Sequence, residues 1–132
     1  MYYAYIFEGS ITRRDRYGFT DSTASGIKIG QTQDWKKRRD QLRYNGNIHQ
    51  RAIFYCYTRE DAELLESGLR RYYLKQKNAK RNGNDWVENI EFDADTLIMD
   101  PDLEQILKIV GCKKVKIFNY PTVLPSITFE FN

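Results

Sequence analysis

Tyr2-Tyr3-Ala4-Tyr5-Ile6-Phe7 and Gly26-Ile27-Lys28-Ile29-Gly30 are the two stretches on which the fold turns. In the first, Tyr3, Tyr5 and Phe7 alternate with Ala4 and Ile6, the period of two expected of a strand. In the second, Ile27 and Ile29 face one way and Lys28 the other. Together they predict an antiparallel hairpin, strands 2–8 and 26–30. Residues 8–26, polar and rich in Gly, Ser, Thr and Asp, read as a long basic loop carrying Arg13, Arg14 and Arg16.

Outward from this hairpin, Thr32 or Asp34 can cap a helix over 34–45 whose apolar stripe is only Trp35 and Leu42. Arg38 and Arg39 fall between those two, on the face that should turn inward. Arg51-Ala52-Ile53-Phe54-Tyr55-Cys56-Tyr57 is apolar on both faces and predicts a central strand over 51–58. Thr58 starts a second helix over 59–76, with Glu60, Asp61 and Glu63 where the helix dipole favours acids. Its buried stripe is Ala62, Leu65, Leu69 and Tyr73, and Glu66 lies within it. Gly68, in mid-helix, costs roughly 1 kcal/mol relative to Ala and points to close approach of another element. Trp86-Val87-Glu88 reads as extended, Pro101 to Val110 as helical, and Val115 to Phe118 and Ser126 to Phe131 as strands.

The expected fold is therefore α/β (α+β), a central three-stranded antiparallel sheet flanked by helices. Residues 1–90 form the principal domain, and 91–132 are a C-terminal extension packed on it. A chain of 132 residues supports one such core. No apolar run approaches the roughly 20 residues of a membrane helix, and the N-terminus lacks the features of a signal peptide. The expected location is cytoplasmic, with no membrane partner. Cys56 and Cys112, each in a short apolar stretch, suit reduced buried thiols, and with His49 as the single histidine a structural zinc site is disfavoured.

Residues 1–83 hold 17 Lys/Arg against 9 Asp/Glu, and residues 84–132 hold 4 against 9. A front so basic fits a polyanion partner, because clustered Lys and Arg neutralise phosphates and release counterions. The expected nucleic-acid face carries Arg13, Arg14, Arg16, Lys36, Lys37, Arg39 and Arg43, with Arg70 one turn after Glu66. Arg38 and Glu66 carry a second message. A buried ion costs several kcal/mol without a partner, so each either pairs or faces a site. For Glu66 the plain alternative is an i,i+4 pair with Arg70; for Arg38 it is a solvated helix face.

Taken in order, Tyr3-Ala4-Tyr5, Lys28-Ile29-Gly30, Arg38 and Ala62-Glu63-Leu64-Leu65-Glu66 resemble the GIY-YIG nuclease superfamily, and most closely its phage-type branch, whose second motif reads KIG. Arg38 stands eight residues after the motif glycine, and Asn84-Asp85-Trp86-Val87 is similar to an acidic-Trp-aromatic stretch of that branch. The resemblance implies a metal-dependent endonuclease hydrolysing phosphodiester bonds in DNA. It implies Tyr5 as the base or water-orienting group, with Tyr3 in reserve, and Glu66 as the ligand of one Mg²⁺ or Mn²⁺. Arg38 would grip the scissile phosphate, and Lys28 would favour the tyrosinate form of Tyr5. Two other readings remain open at this point. One is a catalytically inactive nucleic-acid-binding module of the same fold. The other is a protein-interaction domain in which Glu66 and Arg38 pair with each other.

Overall fold

The computed structural model describes residues 1–118 and 127–130. Chain order gives strands β1 (Tyr2–Arg14) and β2 (Thr20–Thr32), helix α1 (Trp35–Arg43), β3 (Gly46–Cys56) and α2 (Arg59–Leu74). These are followed by β4 (Lys80–Asn82), β5 (Trp86–Glu88), α3 (Ala94–Met99), α4 (Pro101–Ile109), β6 (Cys112–Ile117) and β7 (Ile127–Glu130).

The sheet corrects the expectation of three strands. It is an antiparallel sheet of seven strands in the order β4-β5-β2-β1-β3-β6-β7. The three expected strands are its middle, with β1 between β2 and β3. What the sequence reading lacked was the pairing of its flanks: Val87 and Trp86 pair with Ile27 and Lys28, and Val115 and Ile117 pair with Phe54 and Ala52. Local patterning shows that a segment is extended but not which edge it joins. Within the expected extension, β6 and β7 therefore add strands to the same sheet, and Ser126 and Phe131 of the expected terminal strand lie outside the described residues.

The long basic loop is corrected as well. Residues 8–26 are ladder almost throughout, from Glu8↔Ile27 through Ser10↔Ser25 and Thr12↔Thr23 to Arg13↔Ser22. Polar side chains on both faces hide a strand from hydropathy patterning while leaving its backbone free to pair. Only residues 15–19 turn. Asp15 Oδ1 accepts the N–H groups of Tyr17 (2.9 Å) and Phe19 (3.1 Å), an Asx-type closure.

Each face of the sheet buries its own core. Ala4, Ile6, Ile27, Ile29, Ala52 and Phe54 pack under α2, α3 and α4 with Leu65, Leu69, Leu97 and Leu103. Tyr5, Phe7, Ile48, Ile53 and Trp86 pack on the other face with Trp35 of α1. The alternation in strand β1 is what divides its residues between the two cores. Asp34 caps α1 by accepting from Lys37 N–H, and Thr58 caps α2 by accepting from Asp61 N–H. Gly68 shows why a glycine interrupts α2: a Cβ there would run into the end of the Ile106 side chain of α4. Among the described residues, no helix is long and apolar enough to cross a membrane.

Candidate active site

Tyr5 and Gly30 stand opposite each other in the β1–β2 ladder. The phenol ring lies over the glycine so closely that a Cβ on Gly30 would sit 2.5 Å from Tyr5 Cζ. The ring is fixed from its other side by Phe7, stacked at 4.1 Å with 22° between planes. Tyr5 is thus 2% exposed, and burial raises its pKa above the ordinary tyrosine value. Against that, the Arg38 guanidinium of α1 favours the ionised form of the hydroxyl.

Lys28 is 3% exposed, unusual for an ammonium, and burial lowers its pKa. Its compensation is Asp85 at 3.3 Å, with the Trp86 ring 6.0 Å from Nζ. This alters the role expected of Lys28. Its charge is engaged by Asp85, and the cation that acts most on Tyr5 is Arg38. Asp85 itself pushes the Tyr5 pKa upward. Asp85 stands beside Trp86 in the sequence, where nothing local gives it a part. Its signal was an acidic residue beside a strand that could lie against Lys28.

The β2–β5 pairing ends at Lys28 and Trp86, the last backbone tie being Ile29 N–H to Asp85 carbonyl at 3.0 Å. Beyond it, Gly30 to Thr32 form an edge of β2 among the described residues. Here Arg38 from the α1 layer and Glu66 from the α2 layer both act electrostatically on Tyr5. Glu66 is half-buried and bonded by Arg70 Nη2 at 2.7 Å, the i,i+4 pair that the sequence offered as the plain alternative. It does not pair with Arg38, as the protein-interaction reading required. Arg70 Nε is buried without a hydrogen-bond partner among the described residues. Tyr3 shares the Tyr5 face but packs edge-on against Tyr55 (5.1 Å, 77°).

The expected nucleic-acid residues divide into two groups. Lys36 and Lys37 are exposed on α1. Arg39 and Arg43 instead fasten α1 to β3: Arg39 lies 5.4 Å from the Trp35 ring and reaches Gln50, and Arg43 Nε donates to the Ile48 carbonyl at 2.9 Å. Arg13 acts on Lys28 from the same face, while Arg14 and Arg16 belong to the hairpin tip. Two further cations were missed. Lys114 and Lys116 of β6 stand opposite Tyr55 and Ile53, adding basic residues from the acidic third of the chain to the Tyr5 face. Strand pairing, invisible to local charge counts, is what brings them there.

Among the described residues, no three His, Cys, Asp or Glu side chains come together as a metal cage. A lone carboxylate suits only a hard cation that keeps most of its waters and takes a further oxygen from a bound phosphate, which is the habit of Mg²⁺. Glu66 fits that limited part, with Arg70 competing for one of its oxygens. No family model, curated protein or solved structure matches the chain.

Proposed function

We propose that this protein is a divalent-metal-dependent endonuclease of the GIY-YIG kind, acting on DNA. The observation that carries the reading is the buried Tyr5 opposite the motif glycine Gly30, within the electrostatic influence of Arg38 and Glu66, with Arg38 acting also on the buried Lys28. Arg38 and Glu66, from motifs dozens of positions from Tyr5, both act on its hydroxyl, and Arg38 acts on Lys28 as well.

Phosphodiester hydrolysis needs a group to take a proton from water and positive charge where negative charge develops on the phosphorane. Tyr5, once ionised, is the proton acceptor. Arg38 supports the ionised phenol and offers its remaining N–H groups to a phosphate, for which its planar fork is suited. Lys28, held by Asp85, fixes the floor of the site. Glu66 would hold Mg²⁺ or Mn²⁺, which when bound supplies charge stabilisation to the phosphate. Arg70, which bonds Glu66 at 2.7 Å, would have its guanidinium free for the substrate backbone wherever Glu66 held the ion instead.

A second reading, the catalytically inactive nucleic-acid-binding module, draws on the pairing of Glu66 with Arg70 and of Lys28 with Asp85, which leaves the carboxylates satisfied without a metal. Supercoiled-plasmid nicking separates the two. The nuclease reading expects relaxation of the plasmid with Mg²⁺, none with EDTA, and strong loss in Tyr5→Phe; plasmid binding with no relaxation under any divalent ion would leave the binding module.

A further inference from the structure

The β1–β2 hairpin runs 13 residues on each side and ends in a tip, residues 15–19, that carries two uncovered aromatic rings. Tyr17 is 70% exposed and Phe19 71%. Neither ring is buried, and two exposed rings close together and rimmed by charged residues are the kind of patch that marks an interaction site. The tip is also stiff. Asp15 N–H donates to the Phe19 carbonyl at 2.8 Å, Gly18 N–H to the Asp15 carbonyl at 3.0 Å, and Arg14 Nη1 to the Gly18 carbonyl at 3.1 Å. The Asp15 carboxylate is turned inward on the N–H groups of Tyr17 and Phe19. Arg16 lies 4.9 Å from the Tyr17 ring centroid, Arg14 is tied to the Gly18 carbonyl, and Arg13 precedes it on β1, while the other acid of residues 13–22 is Asp21, so the tip is basic.

Exposed aromatic rings beside arginines, on a tip whose backbone is closed by hydrogen bonds, fit a nucleic acid whose bases are open to stacking. A paired duplex presents phosphates to the arginines but hides its base faces, so the rings would gain little there. Unpaired bases offer both. We propose that the hairpin tip is a stacking contact for unpaired bases, so that the preferred substrate is DNA that is single-stranded or locally opened beside the cleavage site. This rests on the nucleic-acid part of the reading above and not on its chemistry.

Binding is measured in EDTA, where no cleavage occurs, to a fully paired duplex, to the same duplex with an internal bubble, and to a single strand. A fluorescent adenine analogue in the unpaired segment reports stacking. Wild-type protein is expected to prefer the bubble and the single strand and to quench the analogue. Tyr17→Ser with Phe19→Ser should weaken that binding at least about fivefold, the low end for losing one base–aromatic stack, with duplex binding little changed. Tyr17→Trp should keep both the preference and the quenching. Equal affinity for the three DNAs, or a preference indifferent to the serine variants, overturns the proposal and leaves the tip to a protein contact. Plasmid nicking runs in parallel. Nicking with no tip-dependent preference rejects this inference alone, whereas tip-dependent binding without nicking rejects only the nuclease chemistry.

Discussion

The Tyr5 ring rests on the bare Cα of Gly30, its partner across the β1–β2 ladder, so the glycine of the Lys28-Ile29-Gly30 motif is a seat for the phenol. No turn calls for it. Gly30→Ala is expected to push the ring away, costing about 1–3 kcal/mol as overpacking does. The phenol would leave Arg38, so nicking activity should fall further than the population of folded protein does. Thermal unfolding and nicking rate, compared at a temperature where the variant is fully folded, check this; an unimpaired rate would show that the position of the ring does not matter.

The charges around Tyr5 give a pH dependence whose direction can be worked out. A base must be deprotonated, and burial holds the Tyr5 pKa above its ordinary value, so the cleavage rate should climb through the alkaline range. Arg38 pulls that pKa down, and Asp85 pushes it up. Arg38→Met should therefore move the rising limb to higher pH as well as slow the reaction, while Asp85→Asn should move it to lower pH. The two shifts have opposite sign, which general damage to the site would not produce. Profiles of kcat/KM against pH for the two variants provide the check, and Tyr5→Phe should lose about 10²-fold or more at every pH without loss of stability.

How much was legible in the sequence follows from which interactions are local. The two-residue alternation around Tyr5 and Lys28, the caps at Asp34 and Thr58, and the interrupted stripe at Glu66 are written in near neighbours, and the corresponding elements are present. Gly68 was legible as a close approach, but its partner Ile106 lies in another helix. The hairpin beyond Glu8 was not legible, because Ser, Thr and Gly on both faces carry no burial signal. The outer strands at Trp86 to Glu88 and Val115 were legible as extended pieces, but not their places in the sheet, since only pairing decides that one flanks Lys28 and the other Phe54. The role of Asp85 depended on that same pairing.

Tyr73 tests the α2 side of the sheet. Its hydroxyl is buried with no hydrogen-bond partner among the described residues, and burial raises its pKa strongly. Tyr73→Phe removes an unsatisfied polar group and should stabilise the fold by about 1 kcal/mol at neutral pH. The folded state holds this phenolic proton to higher pH than the unfolded chain, whose tyrosines ionise near pH ~10. The stability associated with it is therefore complete below that pH and is lost as pH rises further. Denaturant melts at neutral pH and above pH ~10 should show Tyr73→Phe more stable at the first and less steeply destabilised at the second. A variant weaker at neutral pH would mean that the hydroxyl has a partner.

Lys36 and Lys37 are the cations with which to probe the basic face, because Arg39 and Arg43 also hold α1 to β3 and their loss would confuse binding with folding. If both lysines meet phosphates, Lys36→Ala with Lys37→Ala should reduce the steepness of log K against log salt for duplex DNA by about 2, near 0.9 for each contact. The melting temperature should move little, since the bond Lys37 gives Asp34 is from its backbone N–H, which alanine keeps, and the Lys36 ammonium makes only an exposed contact 5.6 Å from the Trp35 ring centroid. An unchanged slope at unchanged stability would put the DNA elsewhere, with Lys114 and Lys116 the next candidates on the Tyr5 face.

Glu66 separates docking from chemistry. Its carboxylate pairs with Arg70, and in the proposed nuclease it would also hold the metal ion on which cleavage depends. Glu66→Gln keeps the shape and a weaker bond to Arg70 while removing the charge a hard cation requires, so Mg²⁺-dependent nicking should vanish with DNA binding in EDTA retained. Arg70→Ala acts in the opposite sense on the ion. Removing the competing guanidinium frees Oε1, so half-maximal activity should need less Mg²⁺, even though the substrate is held less tightly. Titrating Mg²⁺ against nicking rate at saturating DNA measures this directly. If Glu66→Gln cleaves at the wild-type rate, the carboxylate is no more than the partner of Arg70, and the ion must be held by other groups.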